Sequence, residues 1–182
     1  PLFDESKKVV SFQKSNASRV LYNFYTKPEK YKFMNKICKE LSEYHPSIST
    51  VFEDIYQKLE TKSYISVHLR FGDWHKGLPA ITAINETIKK NLFGWLDENN
   101  GGNLPLMIMT DRKDNPFYED LKKKWKIFFS DELITDQDRA KLRKQFRNTT
   151  VAEFLVQKQL CEMAEVFIGS QGSTVSVHAQ YV

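Results

Sequence analysis

The sequence predicts an α/β domain built on a mainly parallel, Rossmann-like sheet, and three observations carry that expectation. Short apolar runs alternate with helix-period segments across residues 64–182. One of these runs, Leu106-Met-Ile-Met109, is continuous rather than alternating, as a strand covered on both faces is. The run Tyr64-Ile-Ser-Val-His-Leu-Arg-Phe-Gly-Asp73 ends in His68, Arg70 and Asp73. Open α/β sheets hold their ligands at the carboxyl ends of strands.

The elements follow in order. Residues 1–30 are polar and aromatic, with only weak signals around Val9-Val10-Ser11-Phe12. Phe33, Met34, Ile37 and Leu41 recur at helical spacing, and Pro46 is expected to stop that helix. Thr50-Val-Phe-Glu53 reads as a capping box, with Val51, Ile55 and Leu59 as the stripe behind it. The strand at 64–71 comes next, broken by Gly72. Ile81, Ile84, Ile88, Leu92 and Trp95 then mark a helix with one face on a core, and 99–103 is a loop by composition. Leu106–Met109 is a strand ending at Thr110-Asp111. Pro116 suits the first turn of a helix reaching about Trp125. Ile127–Phe129 is a third strand, and 131–149 a charged loop with a helical turn over 136–146. Thr150-Val-Ala-Glu153 reads as a second capping box, with Val151, Phe154, Leu155 and Cys161 on the buried face. Val166–Ile168 is a fourth strand. Gly169–Gly172 is a turn, and Ser173 or Thr174 caps a last helix.

Composition narrows the function classes. The chain has 182 residues, of which 41% are hydrophobic and 13% aromatic, enough for one packed domain and against disorder. Net charge is +4, and the run Lys122-Lys123-Lys124 reads as the solvated end of a helix, so no nucleic-acid partner is expected. No apolar run reaches the ~18 residues of a membrane span, and the opening residues are not expected to form a signal peptide. Cys38 and Cys161 have neither metal-ligand spacing nor a disulfide framework. The sequons at Asn16, Asn85 and Asn148 hint faintly at a secretory route. No repeat or low-complexity stretch divides the chain. Residues 1–62 are expected to form a helical preface and 63–182 the Rossmann-like unit. The chain ends inside a helical pattern without a stop signal, so it is expected to be part of a larger protein.

The chemistry concentrates at three strand ends: His68, Arg70 and Asp73; Asp111; and the Gly169–Thr174 turn. Parallel strands put all three on one edge. An arginine offers a planar, permanently charged fork that matches phosphate oxygens. A small-residue turn leading into a helix presents backbone N–H groups to an anion, and Ser170, Ser173 and Thr174 add hydroxyl donors. Arg70 and this turn could grip one diphosphate from two sides, with Asp111 or Glu165 accepting from a base or a ribose. Structural readings stand beside these. Arg70 also suits a salt bridge to Asp73, His68 a core histidine, Asp111 a turn cap, and Asp73, Ser170 and Glu165 local loop chemistry.

His68-Leu-Arg-Phe-Gly-Asp73 resembles the first motif of the protein O-fucosyltransferase and α1,6-fucosyltransferase superfamily. Met109-Thr-Asp111 resembles its second, and Ala164-Glu-Val-Phe-Ile-Gly-Ser-Gln-Gly-Ser-Thr174 its third. The three occur in the family's order, over roughly residues 60–182. The resemblance implies the C-terminal, donor-binding half of a GT-B glycosyltransferase that moves L-fucose from GDP-fucose, with inversion and without a metal or cofactor, to a protein or glycan hydroxyl. It assigns the β-phosphate to Arg70, support of the same site to His68 and the nucleoside to Asp111. It assigns guanine to Glu165, which stands one methylene longer than the family's Asp. Phosphate falls to Ser173 and Thr174. Asp73 is the local candidate for a catalytic carboxylate. A location in the ER or Golgi lumen would follow from the same likeness. The alternatives are a non-catalytic nucleotide-sugar binding module, a transferase using another nucleotide-sugar, and an interaction domain that has lost its ligand.

Overall fold

The computed structural model describes residues 8–12, 44–71, 78–100 and 104–170. Five strands form one wholly parallel sheet: β1 (Lys8–Phe12), β2 (Ile65–Leu69), β3 (Leu106–Thr110), β4 (Ile127–Phe129) and β5 (Val166–Ser170). The helices are α1 (Pro46–Lys58), α2 (Leu78–Asn99), α3 (Phe117–Lys122), α4 (Asp136–Gln145) and α5 (Thr149–Glu162), with a 3-10 turn at Ser130–Leu133.

The spatial order of the strands is β1-β5-β2-β3-β4. From β2 the chain steps outward to β3 and β4, then crosses back to lay β5 on the other side of β2. Parallel crossovers are right-handed in nearly all proteins, so a reversal of direction must move the connecting helices to the opposite face. The packing obeys this. Residues of α2 and α3 pack with Ile65, Val67, Leu69, Leu106, Ile108 and Ile168 on one face. On the other face, α1, α4 and α5 pack with Met107, Met109 and Phe167. Odd positions of β2 thus serve one core and even positions the other, as a pleated strand requires. Leu92 and Leu96 of α2 are wholly buried, each contributing roughly 1.5–3 kcal/mol by leaving water.

Several local expectations are corrected. The helix that Pro46 was expected to stop lies outside the described residues, and Pro46 itself starts α1. Its missing N–H falls where a helix has no acceptor anyway, and His45 caps the end by accepting from the Ser47 amide at 3.3 Å. The buried stripe is Ile48, Val51, Phe52 and Ile55, and Thr50 lies inside the helix rather than at its cap. The second capping box is displaced in the same way. Asn148, not Thr150, caps α5, accepting from Val151 N at 3.2 Å. That rotation leaves Val151 51% exposed and buries Ala152, Val156, Leu160 and Cys161. The helical segment expected over 136–146 is present as α4, held by a reciprocal box between Thr135 and Asp138.

Gly169 and Ser170 belong to β5 rather than to a turn, because β1 extends the ladder there: Ser11 pairs with Gly169 and Phe12 with Ser170. Residues 8–12 and 46–58, expected in a preface, therefore contribute a strand and a covering helix to this sheet. The helix expected over 30–44 and the last helix after Thr174 lie outside the described residues. Among the described residues no helix is long and apolar enough to cross a membrane.

Candidate functional site

The reversal of strand order between β2 and β5 locates the crevice. In open α/β sheets such a reversal is where ligands are held, outside the carboxyl ends of the two strands. His68 of β2 stands opposite Gly169 of β5, so both strands reach this edge together. Neighbouring strands are about 4.8 Å apart. Arg70 follows β2 directly and is exposed, and Ser170 is the last residue of β5. On the other side of β2, Leu69 stands opposite Thr110, so Asp111 emerges beside Arg70.

His68 is the inner member of this group. It is 5% exposed and lies on the α1/α4/α5 face, two residues beyond Ser66, whose hydroxyl donates to the Cys161 carbonyl at 3.1 Å. Burial pushes its imidazole down to about 4; the Asp111 carboxylate opposes this and the Arg70 guanidinium adds to it. His68 is thus neutral at neutral pH. It can accept or donate one hydrogen bond, but positive charge at this edge comes from Arg70 rather than from an imidazolium.

Asp111 has a definite local task. Its Oδ1 accepts from the backbone N–H of Phe71 at 2.8 Å, joining the exit of β2 to the exit of β3. Beyond it the chain turns sharply. The Thr110 hydroxyl accepts from Arg112 N at 3.2 Å, and Arg112 forks onto Asp114 at 3.0 and 3.2 Å. Both members of that ion pair are well exposed, and such pairs contribute little to stability.

Glu165 is not part of this group. It precedes β5, and its amide donates to the Tyr64 carbonyl at 3.1 Å, at the start of β2. A strand rises about 3.3 Å per residue, so Glu165 lies about 16 Å from Ser170, on the opposite edge of the sheet. Glu165 therefore does not share an edge with His68, Arg70 and Asp111. Asp73, Ser173 and Thr174 lie outside the described residues. His68, Arg70, Asp111 and the Ser170 backbone are the expected site residues that share one edge.

Phe71 was not anticipated as a site residue. Its ring is buried against Phe117 and Tyr118, with centroids 6.2 and 6.1 Å away. The available signal was an aromatic side chain inside an otherwise polar motif. Among the described residues no three His, Cys, Asp or Glu side chains cluster as metal ligands would. Comparison with known proteins finds no family model and no curated protein that matches this chain.

Proposed function

We propose that this chain binds GDP-fucose and serves as the donor-binding half of a GT-B glycosyltransferase, transferring L-fucose to a protein or glycan hydroxyl with inversion. The observation that carries the reading is Arg70 at the mouth of the β2/β5 crevice, in a motif resembling that family's first. The third-motif strand lies hydrogen-bonded beside it. Departure of GDP places negative charge on the β-phosphate oxygen. A fixed guanidinium and oriented N–H groups stabilise that charge where it develops, and losing one such donor typically costs on the order of 10²–10³ in rate. Neutral His68 supplies a hydrogen bond to the same site without competing for the anion. The resemblance assigns further phosphate contacts to Ser173 and Thr174 of the third motif.

Thermal shift and calorimetry with nucleotides test the reading. GDP should raise the melting temperature, whereas UDP and ADP should not. Arg70→Ala should remove the GDP effect while the chain stays folded, since Arg70 is exposed. A wild-type chain indifferent to GDP defeats the proposal. GDP binding without fucose transfer, in a protein that includes the acceptor-binding half, favours a non-catalytic binding module instead.

A further inference from the structure

We propose that Asp111 is a positioning residue for Arg70: its carboxylate holds the backbone from which the guanidinium projects. What Arg70 grips rests on the phosphate reading above; how Arg70 is held does not.

Arg70 stands between two anchored neighbours. Leu69 is 5% exposed and Phe71 4%, both in the core beneath α2 and α3, while Arg70 itself faces solvent. Strand pairing fixes the chain up to Leu69, opposite Thr110. After Arg70 the ladder has ended, so the Phe71 amide has no strand partner in β3. Asp111 Oδ1 takes that place at 2.8 Å. A charged acceptor makes this bond stronger than the backbone bond it replaces. The Phe71 ring, packed on Phe117 and Tyr118, holds the same residue from its other end.

The backbone on both sides of Arg70 is therefore set before any ligand arrives. A cation carried on a fixed backbone loses less freedom on binding an anion than one on a mobile loop, and affinity rises accordingly. The resemblance assigns the nucleoside to Asp111. The geometry points instead to a role through the Phe71 amide, which favours the phosphates.

Calorimetry on the whole chain separates the two roles. GDP and inorganic pyrophosphate are titrated into wild type, Asp111→Asn, Asp111→Ala, Arg70→Ala and the Asp111→Ala/Arg70→Ala double variant. Asparagine keeps the acceptor oxygen, so Asp111→Asn should bind both ligands within about threefold of wild type. Asp111→Ala should weaken both by about tenfold or more. In the Arg70→Ala background the same change should add nothing, because the coupled residue is already gone. Amide exchange at Phe71, followed by NMR without ligand, should quicken strongly in Asp111→Ala and much less in Asp111→Asn, which keeps the acceptor but not its charge. Unchanged Phe71 exchange in Asp111→Ala overturns the proposal, as does full additivity in the double variant. Loss of GDP affinity with pyrophosphate affinity intact overturns it in favour of a nucleoside contact. A wild-type chain that binds neither ligand ends the phosphate reading alone, and Phe71 exchange still decides whether Asp111 holds the backbone.

Discussion

Lys158 and Glu162 form an ion pair one turn apart on α5 with almost no access to water, their side chains 6% and 8% exposed. Tyr44 closes the cluster. Its hydroxyl accepts from Lys158 Nζ at 2.6 Å and donates to Glu162 Oε2 at 2.8 Å, and the ammonium also sits 5.1 Å from the Tyr44 ring centre. Burial, followed by the Glu162 carboxylate, pushes the Tyr44 hydroxyl far above its ordinary range, so it stays protonated. The cluster ties the residues entering α1 to the last turn of α5.

Removing one partner strands the other charge in the core. Lys158→Met should destabilise the fold by roughly 3–5 kcal/mol, read from chemical denaturation. The triple change Lys158→Met, Glu162→Leu, Tyr44→Phe should recover part of that, because the buried charges are removed together. A single variant within about 0.5 kcal/mol of wild type would show the pair to be dispensable.

Acid lability should begin at His68. Its folded value is about 4 and its ordinary value 6.5, so between these the unfolded chain binds a proton that the folded chain does not. Stability contributed by the neutral, buried ring is fully present above pH 6.5 and is lost as pH falls toward about 4. Asp120 acts in a lower window. Lys123 and Lys89 hold its carboxyl at about 2, so its contribution disappears only below its ordinary 3.8. Urea unfolding at successive pH values should show a slope between 6.5 and 4 that His68→Gln flattens. The same slope in both proteins would contradict the burial of a neutral imidazole.

Capping mutants distinguish the observed helix starts from those the local patterns suggest. Thr135→Ala and Asn148→Ala each remove a side chain that accepts from its helix's backbone, and each should cost about 1 kcal/mol. Thr150→Ala, inside the first turn of α5, should cost less than about 0.5 kcal/mol. A larger loss at Thr150 than at Asn148 would move the cap back to the sequence motif.

The two edges of the sheet can be told apart by nucleotide binding. Glu165→Ala should leave GDP affinity within about twofold of wild type, because Glu165 lies at the amino end of β5. A tenfold loss would require the base to sit at the far edge, about 16 Å from the carboxyl ends of the strands.

The strands were legible where their apolar character is local. Leu106–Met109 and Ile127–Phe129 can be read from four or three residues without knowing their neighbours. β1 was not legible, because Lys8–Phe12 carries only a weak signal and becomes a strand by pairing with β5, more than 150 positions further along the chain. The same pairing draws Gly169 and Ser170 out of the turn that their small side chains suggest. Capping boxes misled for a related reason. Thr-x-x-Glu at 50–53 and 150–153 satisfies the pattern, but the helix phase is set by which residues face the sheet, and Ile48 and Ala152 decide that from the tertiary side.

The amino-acid sequence alone determined the alternation of strands and helices, the parallel sheet that follows from it, and the convergence of His68, Arg70 and Asp111 on one edge. Each is a consequence of period and chain direction, which are local quantities. The tertiary structure decided the rest. It put β5 beside β2, removed Glu165 to the opposite edge, made His68 neutral and gave Asp111 the Phe71 amide. Strand order, burial and a hydrogen bond across 40 residues depend on which distant segments meet, and no local pattern encodes that meeting.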